Sequence, residues 1–95
     1  MKRIFLVEDD LSLINGLSFA LKKQGYETDI ARTSVEAQNL WGNEDYDLVI
    51  LDVSLPDGSG YELCKIIRKT SKVPIIFLTA ADEETDIIMG LDIGG

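Results

Sequence analysis

The chain contains no histidine. Serine and cysteine triads, which need an imidazole base, and most zinc sites are thereby excluded. Its single cysteine, Cys64, cannot form an internal disulfide and suits a reducing cytosol. Beside Ile66 and Ile67 it reads as a small buried hydrophobe, not a reactive thiol. Long apolar runs are also missing. The opening MKRIFLVEDD is continuously apolar only from Ile4 to Val7, too short for a signal-peptide core or a membrane span, so a cytoplasmic location without membrane contact is expected. Positive charge is scarce: 9 Lys and Arg face 17 Asp and Glu, a net charge of -8. Such a surface repels phosphate backbones and anionic lipid, and direct nucleic-acid binding by this chain is not expected.

What is present suits a single folded domain over residues 1–95, with 45% apolar residues and mixed charge. Ile4 to Val7, Leu48 to Leu51 and Ile75 to Leu78 are short apolar runs rich in β-branched residues. They read as strands covered on both faces. Tyr26 to Ala31 alternates apolar and acidic residues, as at a sheet edge.

Helical spacing lies between these runs. After Asp10, a candidate cap, Leu11, Ile14, Leu17 and Leu21 form a stripe that ends at Lys22, Lys23 and Gly25. Thr33 with Glu36, and Ser59 with Glu62, have capping-box spacing and mark two further helix starts. Asp82, Glu83 and Glu84 open a last helical segment that should stop at Gly94 and Gly95. Strand then helix, four times, predicts an α/β fold with a doubly wound parallel sheet. Ligands in such sheets bind beyond the carboxyl ends of the strands.

The residues at those ends are Glu8, Asp9 and Asp10 after the first strand, Asp52 after the third, and Thr79 and Ala80 after the fourth. If the first and third strands are neighbours, Glu8, Asp9 and Asp52 converge. Two like charges about 4 Å apart repel by roughly 4 kcal/mol at an effective dielectric near 20, so the group needs a proton or a cation. A hard divalent ion, Mg²⁺ above all, fits oxygen ligands and leaves positions for a phosphate oxygen. A carboxylate beside it can attack phosphorus, and Asp52 is the best placed. The Thr79 hydroxyl and backbone N–H groups after Asp52 and at Ala80 could donate to the phosphoryl oxygens.

Each residue also has a plain structural reading. Asp9 and Asp10 could cap the first helix. Asp52 could begin the turn LPDGSG, where Pro56 fixes its own φ and Gly58 and Gly60 permit tight turning. Thr79 is a β-branched residue at a strand end. The functional reading rests on their joint placement at one rim.

The segments FLVEDD, LVILDVSLPDGSGYEL, PIIFLTA and LDIGG occur in order. With them the chain resembles the receiver domain of bacterial two-component response regulators, a flavodoxin-like receiver fold. Its wording is closest to the transcription-factor type with a winged-helix output domain. The resemblance implies Asp52 as phosphoacceptor, Glu8 and Asp9 as the acid pair for Mg²⁺, and the Ser54 backbone carbonyl as a further ligand. Thr79 would be the switch hydroxyl. It further implies a phosphohistidine on a sensor histidine kinase as donor, and a signalling switch that is not a turnover enzyme.

That family continues beyond LDIGG with a fifth strand and helix, a lysine followed by proline, and an aromatic switch residue. This chain ends at Gly95. The expectation is a receiver lacking its last β/α unit, a fragment of a longer regulator with slower phosphorylation and a shorter-lived product. A further expectation is self-association through the exposed edge of Ile75 to Leu78. The alternative is a pseudo-receiver that binds partners without phosphate. An aspartyl phosphohydrolase would want an acid where Ser54 stands, and a nucleotide or flavin binder would want a G-x-G-x-x-G after the first strand.

Overall fold

The computed structural model describes residues 2–42 and 45–78. Their order is β1 (Arg3–Val7), α1 (Leu11–Lys23), β2 (Glu27–Ala31), α2 (Ser34–Leu40), β3 (Leu48–Asp52), β4 (Ser54–Leu55), β5 (Gly58–Ser59), α3 (Gly60–Arg68) and β6 (Ile75–Leu78). The main sheet has four strands in the order β2-β1-β3-β6, all parallel. The α/β doubly wound reading is correct, and β2 lies at an edge of the sheet as its alternation implied. The segment 82–95, read as a helix, lies outside the described residues, as do Thr79 and Ala80.

Side chains leave a strand on alternate faces, and β1 uses both faces for core. Phe5 and Val7 join Val49, Leu51, Leu63, Cys64, Ile67, Ile75 and Phe77 on the side of α2 and α3. Ile4 and Leu6 join Ile50 and meet Leu17 and Leu21 of α1 on the other. A strand buried on both sides has no polar face, which is why its sequence is a continuous apolar run. Cys64 is buried, as its neighbours suggested.

Local signals set the helix ends. Asp10 Oδ1 accepts from the Ser12 and Leu13 amides at 2.8 and 3.2 Å, which satisfies free donors of the first turn. Gly25 closes α1 with φ +93°, a conformation that costs a glycine nothing. Thr33 Oγ1 accepts from Glu36 N at 3.0 Å, while the Glu36 side chain reaches one residue further back, to Arg32 N at 2.7 Å. Ser59 caps α3 by accepting from Tyr61 N at 3.0 Å.

The structure departs from the sequence pattern at two places. The α1 stripe is only partly core: Ile14 is buried, but Leu11 is 55% exposed. The segment after Asp52 forms a short antiparallel hairpin, Ser54 opposite Ser59 and Leu55 opposite Gly58, too brief for any periodicity to announce.

At the opposite end of the sheet the Arg3 guanidinium meets Glu27 at 3.0 Å and Asp29 at 3.2 Å, and Tyr46 Oη donates to Asp29 at 2.8 Å. Tyr46 stacks on Phe5 with centroids 4.8 Å apart. No helix among the described residues is long and apolar enough to cross a membrane.

The core assignment has a direct measure in urea unfolding. Ile67→Ala removes a fully buried side chain between α3 and the sheet and should cost about 2–5 kcal/mol. Phe19→Ala, at a position 66% exposed on α1, should change stability by no more than about 0.5 kcal/mol.

Candidate functional site

The registers bring the strand ends to one level. Val7 stands beside both Ala31 of β2 and Leu51 of β3, so the residues that follow emerge together at the carboxyl rim. Glu8 N donates to the Ala31 carbonyl at 3.0 Å and continues the β1–β2 ladder by one bond. The backbone of Glu8 is thus fixed before its side chain is considered.

Glu8, Asp9 and Asp52 each bring a carboxylate oxygen within 4.8 Å of the others. This is the convergence expected if β1 and β3 were neighbours, and they are. Asp10, adjacent in sequence, is instead committed to capping α1. Of the two structural readings for the acid pair, the cap therefore applies to Asp10.

Glu8 is only 2% exposed. Oε2 accepts from Asp10 N at 3.0 Å, whereas Oε1 is buried with no hydrogen-bond partner. A buried carboxylate oxygen without a donor is costly. Burial pushes the Glu8 carboxyl up to about 7; the Asp10 N–H pulls the other way, and the neighbouring Asp52 and Asp9 add to the rise. Asp52 is also raised, by burial first, with the Ser54 N–H and the neighbouring Glu8 carboxyl opposing. Ser54 N lies 3.2 Å from Asp52 Oδ1.

These donors fit a small hard cation. All are carboxylates, they are close enough to share one ion, and Oε1 of Glu8, itself out of water, has an unused lone-pair direction. A divalent charge would favour the ionised forms of Glu8 and Asp52 and oppose their rise.

Gly60 sets the position of Asp52 from behind. Its amide donates to the Val53 carbonyl at 2.9 Å. A Cβ on Gly60 would overlap the Asp52 carbonyl oxygen and stand 3.0 Å from the Asp52 carbonyl carbon. Tight turning is not its role, because the described glycines with positive φ are Gly25 and Gly42, not Gly58 or Gly60. Close approach of two backbones is the reason, and only the folded contact reveals it.

The family model for the response regulator receiver domain matches residues 4–95. The chain belongs to the response regulator receiver domain family. Among solved structures, it is similar to the non-phosphorylated HemR receiver domain from Leptospira biflexa, at 44% identity over 85% of this chain and 66% of that one, with a TM-score of 0.80. It also resembles a two-component response regulator from Clostridium difficile, at 31% identity over 88% of this chain and 69% of that one, with a TM-score of 0.82. A third match is a chain in the complex of histidine kinase ThkA with response regulator TrrA, at 41% identity over 90% of this chain and 76% of that one, with a TM-score of 0.77. The receiver thus spans 66% of the HemR domain's length.

Of the receiver's expected site residues, Glu8, Asp9 and Asp52 come together and Ser54 adjoins them through its amide. Thr79 lies outside the described residues. Sequence reasoning gave Asp57 no role beyond the turn, yet its carboxylate accepts from the Ser34 and Val35 amides at 2.7 and 3.0 Å. An acid at the tip of a Pro-Asp-Gly turn signals a side chain free to bond elsewhere, but not to which partner.

The contacts give two expected outcomes. Gly60→Ala should destabilise the receiver by about 1–3 kcal/mol in urea, because the added Cβ must displace the Asp52 backbone. Glu8 holds its proton up to about pH 7 when folded but only to about 4.5 unfolded, so the folded state binds more protons in that window. Its contribution to stability is therefore full below pH 4.5 and lost as pH rises through 7. In EDTA the melting temperature should fall from about pH 5 to about pH 8, Glu8→Gln should flatten the decline, and excess Mg²⁺ should offset it in the parent chain.

Proposed function

We propose that the chain is a phosphoacceptor switch in which Asp52 takes a phosphoryl group from a sensor histidine kinase. The observation that carries this reading is the meeting of Glu8, Asp9 and Asp52 at the ends of adjacent strands, with an orphaned oxygen on Glu8. A chain 41% identical to this one in a kinase–regulator complex supports the choice of partner.

A carboxylate oxygen of Asp52 forms the new bond to phosphorus as the donor's P–N bond breaks. The electron pair goes to the imidazole, which then takes a proton from solvent. Asp52 must be ionised to attack, and its position at the rigid end of a buried strand fixes the direction of approach. Glu8, Asp9, Asp52 and the Ser54 carbonyl would hold Mg²⁺. When bound, the ion supplies positive charge to the acids and to the phosphoryl oxygens. The Ser54 amide, 3.2 Å from Asp52 Oδ1, is a donor available to the same group. Thr79 would provide the switch hydroxyl.

The rest of the proposal concerns the cellular role. The domain works in the cytoplasm, does not turn over substrate as an enzyme, and controls transcription through an output domain of a longer protein. Its net charge of -8 argues against touching DNA itself. Among the described strands β6 pairs only with β3, and self-association through its other edge belongs to the same reading.

Incubation with Mg²⁺ and acetyl phosphate, followed by intact-mass measurement, tests the chemistry. One phosphoryl group should be added, and the adduct should disappear in Asp52→Ala and in EDTA. An unmodified parent chain under these conditions would favour a phosphate-independent interaction module instead.

A further inference from the structure

The first turn of α2 bonds to two segments that lead to the acidic cluster. On one side lies the hairpin that follows Asp52. Asp57, at its tip, accepts from Ser34 N at 2.7 Å with Oδ1 and from Val35 N at 3.0 Å with Oδ2. These amides belong to the helix's first turn and have no partner within the helix. Both oxygens are used, so the hairpin is held in orientation as well as in distance. The neighbouring Gly58 lies against Ser34, where even an added Cβ would be at ordinary contact distance, 3.6 Å.

On the other side lies Asp9. Glu36 Oε1 accepts from Arg32 N at 2.7 Å, which fixes the residue between β2 and α2. From there Arg32 Nη2 donates to the Asp9 backbone carbonyl at 3.1 Å. A path of hydrogen bonds joined by short stretches of covalent chain therefore runs from the Asp52 loop through Asp57, the first turn of α2 and Arg32 to Asp9. Neither Asp57 nor Arg32 belongs to the converging acids.

We infer that Asp57 and Arg32 are positioning residues, which act through the first turn of α2 to set the spacing between Asp9 and the Asp52 loop and thereby the affinity for the divalent cation. This rests on the reading of the acids as a cation site. The Ser34 and Val35 N–H groups also keep the Asp57 carboxyl below its ordinary range, consistent with a charged acceptor at this tie.

Charge alone predicts a different result from positioning, which makes the inference testable. Removing the Arg32 cation near three acids should tighten Mg²⁺ binding if only long-range electrostatics matter. If Arg32 holds Asp9 in place, its removal should weaken binding. Isothermal titration of the metal-free chain with Mg²⁺ should give about tenfold weaker affinity for both Arg32→Gln and Asp57→Ala. The double variant should lose little more than the worse single one, because both cut the same path. Hydrogen exchange in EDTA should show the Ser34 and Val35 amides opening faster in Asp57→Ala, a readout independent of metal. Melting in EDTA verifies that each variant is folded; Arg32 is exposed, so Arg32→Gln keeps the core intact. Unchanged or tighter Mg²⁺ binding by Arg32→Gln, or unaltered exchange in Asp57→Ala, overturns the inference. A parent chain that takes up no Mg²⁺ instead overturns the underlying cation-site reading.

Discussion

Mutual repulsion among Glu8, Asp9 and Asp52 is the constraint around which the domain is built. Their oxygens lie within 4.8 Å of one another, and Glu8 is almost wholly out of water. Left to itself, such a group would spread apart or take up a proton. Spreading is opposed by the parallel ladder, which pins Glu8 through the Ala31 carbonyl and places Val7 level with Leu51. The remaining response is a tighter hold on the proton: the Glu8 carboxyl is pushed up to about 7, by burial first and by Asp52 and Asp9 after it. The strands therefore give up some stability to hold the acids together, as functional sites commonly do.

Rigidity behind the acids has a specific source. β1 is buried on both faces, by α2 and α3 on one side and α1 on the other, so its end cannot swing. β3 is held between β1 and β6 and delivers Asp52 as its last residue. The continuous apolar runs and the carboxylates that end them are thus one device. Packing removes freedom from the backbone, and the side chain that follows inherits the result.

Much of this was legible in the residues themselves. Runs such as Ile4 to Val7 mark strands because burial on two faces leaves no polar positions, and Asp10, Thr33 and Ser59 mark helix starts because free amides need acceptors. The meeting of Glu8 and Asp9 with Asp52 followed once β1 and β3 were neighbours. Less was legible where the cause is a contact between distant segments. Gly60 resembles a turn glycine until the Asp52 backbone is seen against it. Asp57 bonds to amides 22 and 23 residues away, and Leu11 keeps the helical spacing of its stripe yet stays exposed. Sequence spacing describes one element at a time, and these three residues depend on how elements meet.

Trp41 gives the fold a built-in optical consequence. It is the only tryptophan in the chain, it caps the carboxyl end of α2, and its indole N–H reaches Thr70 just past α3 at 3.3 Å while its ring lies 5.8 Å from that of Tyr46. Any loosening between those helix ends wets the indole and breaks that bond, so the colour of its emitted light follows their docking without an attached dye.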